Sequence, residues 1–165
     1  MSKDGLIIPE DGFNQINEVL DDLLERSTAE CAFLVDKSGQ LIGMRGDMET
    51  VDSAAFASLS AGNFAATSEL AKLIGEEEFT VLFHEGDTES IHISIVAQNI
   101  IMVIVFKTDL TSLGLVRLEM KKSRKELVKL LKELSEKSKS EGTAKFDESF
   151  SKSLDDEIDN LFKDK

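Results

Sequence analysis

Apolar residues recur along the chain with the spacing of three helices. Between residues 11 and 27 large apolar side chains return every three or four positions, which is the period of a helix with one buried face. Asp52 or Ser53 can cap a second helix that runs to about Ile74. A third and much longer helix is predicted over residues 111–137.

Short apolar runs bounded by turn residues predict five strands. The last run is apolar on both faces, which is typical of a central strand covered by helices on both sides. The order of helices and strands predicts an α+β fold, α-β-β-α-β-β-β-α, with a five-stranded antiparallel sheet and helices on both faces. The predicted strands are Cys31–Val35, Gln40–Met44, Phe79–His84, Ile91–Ala97 and Ile100–Phe106.

The composition changes after Lys137, and this change predicts three segments. Residues 1–137 form the domain, residues 138–153 a flexible linker rich in Ser, Lys and Glu, and residues 154–165 an amphipathic helix. We expect the tail to fold when its apolar stripe meets a groove on a partner or on its own domain, with a frayed solubility tail as the alternative. The stripe consists of Leu154, Ile158, Leu161 and Phe162, and Ser153 with Asp156 resembles a capping box.

The second helix has a large apolar side and a small apolar side. We expect the large side, with Phe56, Leu59, Ala66, Leu70, Leu73 and Ile74, to pack on the sheet. The small side would then face outward and allow a second backbone to approach closely, as a dimer seam or a partner platform. A helix buried by its own chain is the alternative. The small side consists of Ala54, Ala57, Ser58, Ala61, Ala65 and Ser68.

Composition and charge exclude several classes of function. The 165 residues allow one domain, and 32 acidic against 19 basic side chains give a net charge of -13, which argues against nucleic acid as a partner. Polar residues interrupt the apolar run from Ile91 to Phe106, so no stretch approaches the ~20 apolar residues of a spanning helix, and no membrane insertion is expected. The start of the chain does not resemble a secretory signal, and a single cysteine is typical of a cytosolic protein.

The charge is unevenly distributed. Residues 1–116 carry a net charge of -14, residues 117–141 a net charge of +4 and residues 142–165 a net charge of -3. An acidic body is suited to steering a partner that carries a positive patch. A surface tuned for solubility explains the same composition equally well.

Motifs for catalysis or cofactor binding are missing. The glycines near Arg45 lack the lysine and the spacing of a phosphate-binding loop, and there is no Gly-x-Ser-x-Gly elbow. Cys31 is expected in the core, and His84 and His92 have no further ligands at metal-binding spacing. No cofactor is therefore expected. Among the four arginines, Arg45, between Gly43 and Gly46, comes closest to one that could enter a partner's active site.

Several motifs in the same order resemble the roadblock (dynein light chain) family, and most closely its MglB-like bacterial members. The similarity covers nearly the whole chain, including the tail. The stretches that carry it are 33–42 (FLVDKSGQLI), 57–63 (ASLSAGN), 71–76 (AKLIGE), 83–86 (FHEG), 111–117 (TSLGLVR) and 156–162 (DEIDNLF).

The resemblance implies a regulator rather than an enzyme. It implies a homodimer with paired second helices, which binds one GTP-loaded Ras-like GTPase of the MglA type and stimulates hydrolysis by moving the GTPase's switch residues, without an arginine finger. A scaffold that recruits a GTPase or motor component without stimulation is the alternative. The resemblance also implies a place in cell polarity and gliding motility, in the cytoplasm and at a cell pole.

The resemblance also implies two partner-binding surfaces. One is the second helix, where the small side and Glu69 would contact the GTPase. The other is the C-terminal helix with Leu154, Ile158, Leu161 and Phe162, which would touch the GTPase away from the nucleotide and could promote nucleotide exchange.

Overall fold

The computed structural model describes residues 8–141 and 148–163. Three helices and five strands follow one another in the predicted order, and the predicted C-terminal helix follows them, beginning earlier than expected, at Glu148. They are α1 (Glu10–Ser27), β1 (Cys31–Asp36), β2 (Leu41–Gly46), α2 (Ser53–Leu73), β3 (Val81–Glu85), β4 (Glu89–Ala97), β5 (Ile100–Lys107), α3 (Leu113–Glu141) and α4 (Glu148–Lys163).

The five strands form one antiparallel sheet in the order β2-β1-β5-β4-β3. The central strand β5 is buried from Ile100 to Phe106, as its continuous apolar sequence predicts. Helix α2 covers one face of the sheet, and α1 and α3 cover the other, so that each face has its own apolar core. The predicted α+β class and its antiparallel sheet are confirmed.

The turn between β1 and β2 brings the sheet against α2. Gly39 has a φ of +96°, and the backbone N–H of Ser38 donates to Asp36 Oδ1 at 2.7 Å, which is typical of a tight turn stabilised by an aspartate side chain. A Cβ added to Gly39 would lie 3.2 Å from Ser58 Cα. The turn therefore fixes the height of the N-terminal half of α2 above the sheet.

The helices extend into the predicted linker, residues 138–153, from both ends. Helix α3 continues to Glu141 and α4 begins at Glu148, because Ser135 and Ser151 pack together with their Oγ atoms 3.0 Å apart and Phe150 is buried in the core. The predicted linker is therefore wrong at both of its ends. Its middle, residues 142–147, lies outside the described residues, as do residues 1–7 of the domain and residues 164–165 of the tail.

Candidate partner-binding surfaces

Helix α2 packs on the sheet with the side opposite to the predicted one. Ala57 and Ala61 are 0% and 3% exposed, whereas Leu59 and Leu73 are 73% and 82% exposed. The sequence prediction of which side faces out is therefore wrong. The buried residues of α2 are Ala57, Ser60, Ala61, Phe64 and Ala71.

The size of the side chains explains this orientation. Alanines at the contact let the backbone of α2 approach the sheet closely, and Phe64 fills the space that remains between them. Phe56 stacks against Phe33 of β1 with ring centroids 4.7 Å apart. Both sides of α2 are apolar, so the helical period alone does not say which side is buried.

The predicted residues on α2 divide into two groups. Ala57 and Ala61 are buried against the sheet, and Ser68 is half-buried with its Oγ donating to the carbonyl of Phe64 at 3.1 Å. The others remain exposed along one flank of the helix. This flank consists of Ala54, Ser58, Ala65 and Glu69.

Beside this flank lies an exposed apolar row that we call the outer stripe of α2. Its members recur every three or four residues, and its leucines are between 58% and 82% exposed. A Cβ added to Gly62, in the middle of the row, would meet nothing within 4 Å. An apolar row of this length is typical of a surface that packs on another protein. The outer stripe consists of Ala55, Leu59, Gly62, Ala66, Leu70 and Leu73.

The C-terminal helix α4 packs on its own domain. Leu154 is fully buried, and Ile158 and Leu161 are partly buried against the core formed with α3. Only Phe162 of the predicted tail stripe stays largely exposed, at 69%. Three of the four tail residues that were predicted to bind a partner are thus already in contact with the domain.

Polar contacts fix the position of α4. Arg124 of α3 binds Glu157 and also donates from Nε to the carbonyl of Ile95 at 2.8 Å. Lys132 Nζ lies 2.7 Å from a carboxylate oxygen of Asp155. Ser153 is inside the helix, and its Oγ accepts a hydrogen bond from the backbone N–H of Gln98 at 3.2 Å. The predicted capping box at Ser153 is therefore wrong.

The side chains that the sequence offered as candidates for chemistry do not form a common site: the cysteine is buried, the two histidines lie on different faces of the sheet, and Arg45 is held by a carboxylate. Burial raises the pKa of the Cys31 thiol to about 12, and neighbouring Glu30 adds to this effect. His84 contacts Asn63 of α2 with 2.7 Å between Nε2 and Nδ2, whereas His92 lies on the opposite face of the sheet, across from Phe83. Arg45 donates two hydrogen bonds of 2.8 Å to the carboxylate of Asp21.

Within residues 8–141 and 148–163 no group of three or more His, Cys, Asp or Glu side chains could hold a metal ion. No helix in the described parts of the chain is long and apolar enough to span a membrane.

Comparison with known proteins gives consistent matches. A family model described as Roadblock/LC7 domain matches residues 15–106. The structure of MglB from Myxococcus xanthus is 46% identical, with a TM-score of 0.73, and the alignment covers 78% of this chain and 96% of that chain. The gliding protein MglB of Thermus thermophilus is 27% identical, with a TM-score of 0.72 and coverage of 80% and 99%.

A structure described as MglB with tetrameric arrangement is 26% identical, with a TM-score of 0.73 and coverage of 81% and 99%. The search of curated proteins gave no significant match. The family model covers more than half of the chain, and the MglB structures agree with it in fold over most of their length. The chain therefore belongs to the Roadblock/LC7 domain family.

Proposed function

We propose that this protein is a homodimeric regulator of a Ras-like small GTPase of the MglA type and that it stimulates GTP hydrolysis. The observation that carries the proposal is the 46% identity to Myxococcus xanthus MglB over 78% of the chain. Its action would lie in the cytoplasm, at a cell pole, in the control of polarity and gliding motility.

The outer stripe of α2 supports the homodimer. Leu59, Leu70 and Leu73 expose more than half of their surface in the single chain. Burying three such side chains against a second copy contributes roughly 1.5 to 3 kcal/mol each. Gly62 leaves room at the middle of the stripe for the backbone of a second helix to come close. A C2 dimer with paired α2 helices satisfies both features.

The GTPase would bind beside this dimer contact. The exposed flank of α2 offers Ala54, Ser58, Ala65 and Glu69, while Ala57 and Ala61 support the flank from beneath. Phe162 of α4 supplies an exposed aromatic side chain for a second contact, away from the nucleotide. Through this second contact α4 would promote nucleotide exchange.

The stimulation would act through the GTPase's own residues. Three of the four arginines are held by carboxylates, since Arg26 contacts Glu119 at 3.0 Å, Arg45 contacts Asp21 and Arg124 contacts Glu157. Withdrawing one of them to serve as an arginine finger would break these contacts. Tighter binding to the hydrolysis-competent arrangement of the switch residues accelerates the reaction without a finger.

Single-turnover GTP hydrolysis by an MglA-type GTPase, measured with and without the protein, tests this proposal. We expect an acceleration of at least about tenfold, which corresponds to about 1.4 kcal/mol of transition-state stabilisation. Tight binding without acceleration would replace the proposed stimulation by the scaffold function. Absence of both binding and acceleration would overturn the proposal.

Two variants distinguish the proposed dimer contact from the proposed GTPase-binding flank. Ala65→Arg places a large cation on the exposed flank and should weaken GTPase binding while the protein stays dimeric. Leu73→Glu should dissociate the dimer, as measured by light scattering. Lys125→Glu, on the exposed side of α3, is the matched control and should change neither property. A monomeric Ala65→Arg variant or a dimeric Leu73→Glu variant would contradict the assignment of the two surfaces.

A further inference from the structure

A cavity of about 880 Å³ lies between α3, α4 and the end of the sheet. Helix α1 covers the other end of this same sheet face, so strands β3 and β4 are only partly covered at the cavity. Val81 and Ser94 form part of the floor, Met120 of α3 forms an apolar wall, and Lys152 of α4 closes the far side. The volume lies in the range of sites that hold small molecules.

His92 lines this cavity and has no partner for either ring nitrogen within the described residues. The side chain is only 2% exposed. Burial and the nearby Arg117 lower the pKa of His92 to about 4, so that the ring is neutral at pH 7. A neutral imidazole offers one donor and one acceptor, and leaving both unsatisfied in a buried position costs free energy.

Unpaired cations surround the same cavity. Arg117 and Lys121 are one helical turn apart on α3, and Lys152 faces them from α4. None of the three forms a hydrogen bond or ion pair with another described residue, whereas Arg124 is occupied by Glu157 and Glu78 by Lys37. With Asp156 as the remaining carboxylate, the unpaired lining charges are three positive and one negative.

We propose that this cavity binds a small organic anion with an apolar body. The anionic group would lie between Arg117 and Lys121, the apolar body would contact Met120 and Val81, and a polar atom of the ligand would pair with His92. A protein whose net charge is -13 repels anions in general, so the excess of unpaired cations gives this cavity an attraction for anions that the acidic body lacks.

The size of the cavity favours a small molecule over a segment of a partner protein. It is a half-open pocket bordered by α3, α4 and the sheet, and its volume of about 880 Å³ suits a compact molecule. An acidic segment of another protein is the competing occupant, and the test separates the two.

The test uses the full chain and the fluorescent probe 8-anilinonaphthalene-1-sulfonate, which combines an aromatic body with a sulfonate. We expect saturable binding of one probe per chain and a loss of affinity of at least about tenfold in the Arg117→Glu, Lys121→Glu double variant, since two favourable charge contacts become repulsive. The uncharged N-phenyl-1-naphthylamine should bind at least about tenfold more weakly than the sulfonate. Lys125→Glu, outside the cavity, should bind the probe as the unmodified protein does.

Imidazole ¹⁵N spectra give a direct readout of His92. The chain contains two histidines, and His84→Gln identifies the signal of each. Saturation with the probe should shift the His92 nitrogens and leave those of His84 in place.

An unchanged His92 signal, or equal affinity in the double variant and in Lys125→Glu, would overturn the proposal. If the Leu73→Glu variant no longer bound the probe, the probe would be assigned to the outer stripe of α2, and this result would also overturn the proposal. Failure of the probe to bind, with an acidic peptide binding instead and shifting His92, would assign the cavity to a partner segment.

Discussion

At the scale of single residues, His92 shows how burial changes the behaviour of one side chain. It pairs across strands with Phe83, which packs on the core that α3 covers, and so it lies on that face of the sheet. Desolvation there disfavours the charged imidazolium, and the cation of Arg117 disfavours it further, so the pKa falls from 6.5 to about 4. The folded state is therefore more stable when His92 is neutral than when it is charged.

This dependence predicts a loss of stability in acid. Below pH 6.5 the unfolded state binds a proton at His92 that the folded state does not bind until about pH 4. Between pH 7 and 4.5 we expect this group to lower the free energy of unfolding by roughly 2 to 3 kcal/mol. Urea unfolding of the wild type and of His92→Gln at both pH values measures the effect. The wild type should lose more stability than the variant by this amount, and equal losses would contradict the prediction.

At the scale of elements, the period of apolar residues located the helices but not always their buried sides. Helix α1 has a single apolar face, and Ile16, Leu20 and Leu23 on that face are buried as predicted. Helix α2 is apolar on both sides, so its buried side depends on how closely alanines let it approach the sheet. The sequence therefore predicted the fold, whereas the outer stripe of α2 and the cavity under α4 depend on packing between distant segments.

The packing of α4 leads to a prediction about its local stability. An isolated helix of 16 residues is marginal in water, so α4 depends on its buried side chains, above all Leu154. Its ion pair between Lys132 and Asp155 is partly exposed and contributes less than about 1 kcal/mol. Leu154→Ala should cost roughly 2 to 5 kcal/mol and release α4 while the sheet stays folded.

Hydrogen exchange measures this release. Amides of residues 148–163 should lose protection in Leu154→Ala, while those of β5 should keep it. Phe162→Ala, at an exposed position of the same helix, is the matched control and should leave protection unchanged. Loss of protection in β5 as well would show that α4 is part of the cooperative core rather than a separable element.

At the scale of the whole molecule, the contacts of α4 change the distribution of charge. The basic segment of α3 is partly neutralised by acidic residues of α4, through Arg124 with Glu157 and Lys132 with Asp155. The acidic body, residues 1–116 with a net charge of -14, therefore dominates the field around the protein. In a homodimer this charge doubles, and a GTPase with a positive binding surface would be attracted over a distance of about one Debye length.

If this field steers the GTPase, its association rate should depend strongly on salt. The proposed partner should bind roughly tenfold more slowly at 0.5 M than at 0.02 M NaCl, because salt screens long-range attraction, while the dissociation rate changes much less. Stopped-flow fluorescence of the GTPase with the full chain measures both rates. A charge reversal at Glu69 within the flank should slow association further than one at Glu133, which lies on the exposed side of α3. An association rate that does not respond to salt would assign the acidic surface to solubility, since solubility requires net charge but no attraction between partners.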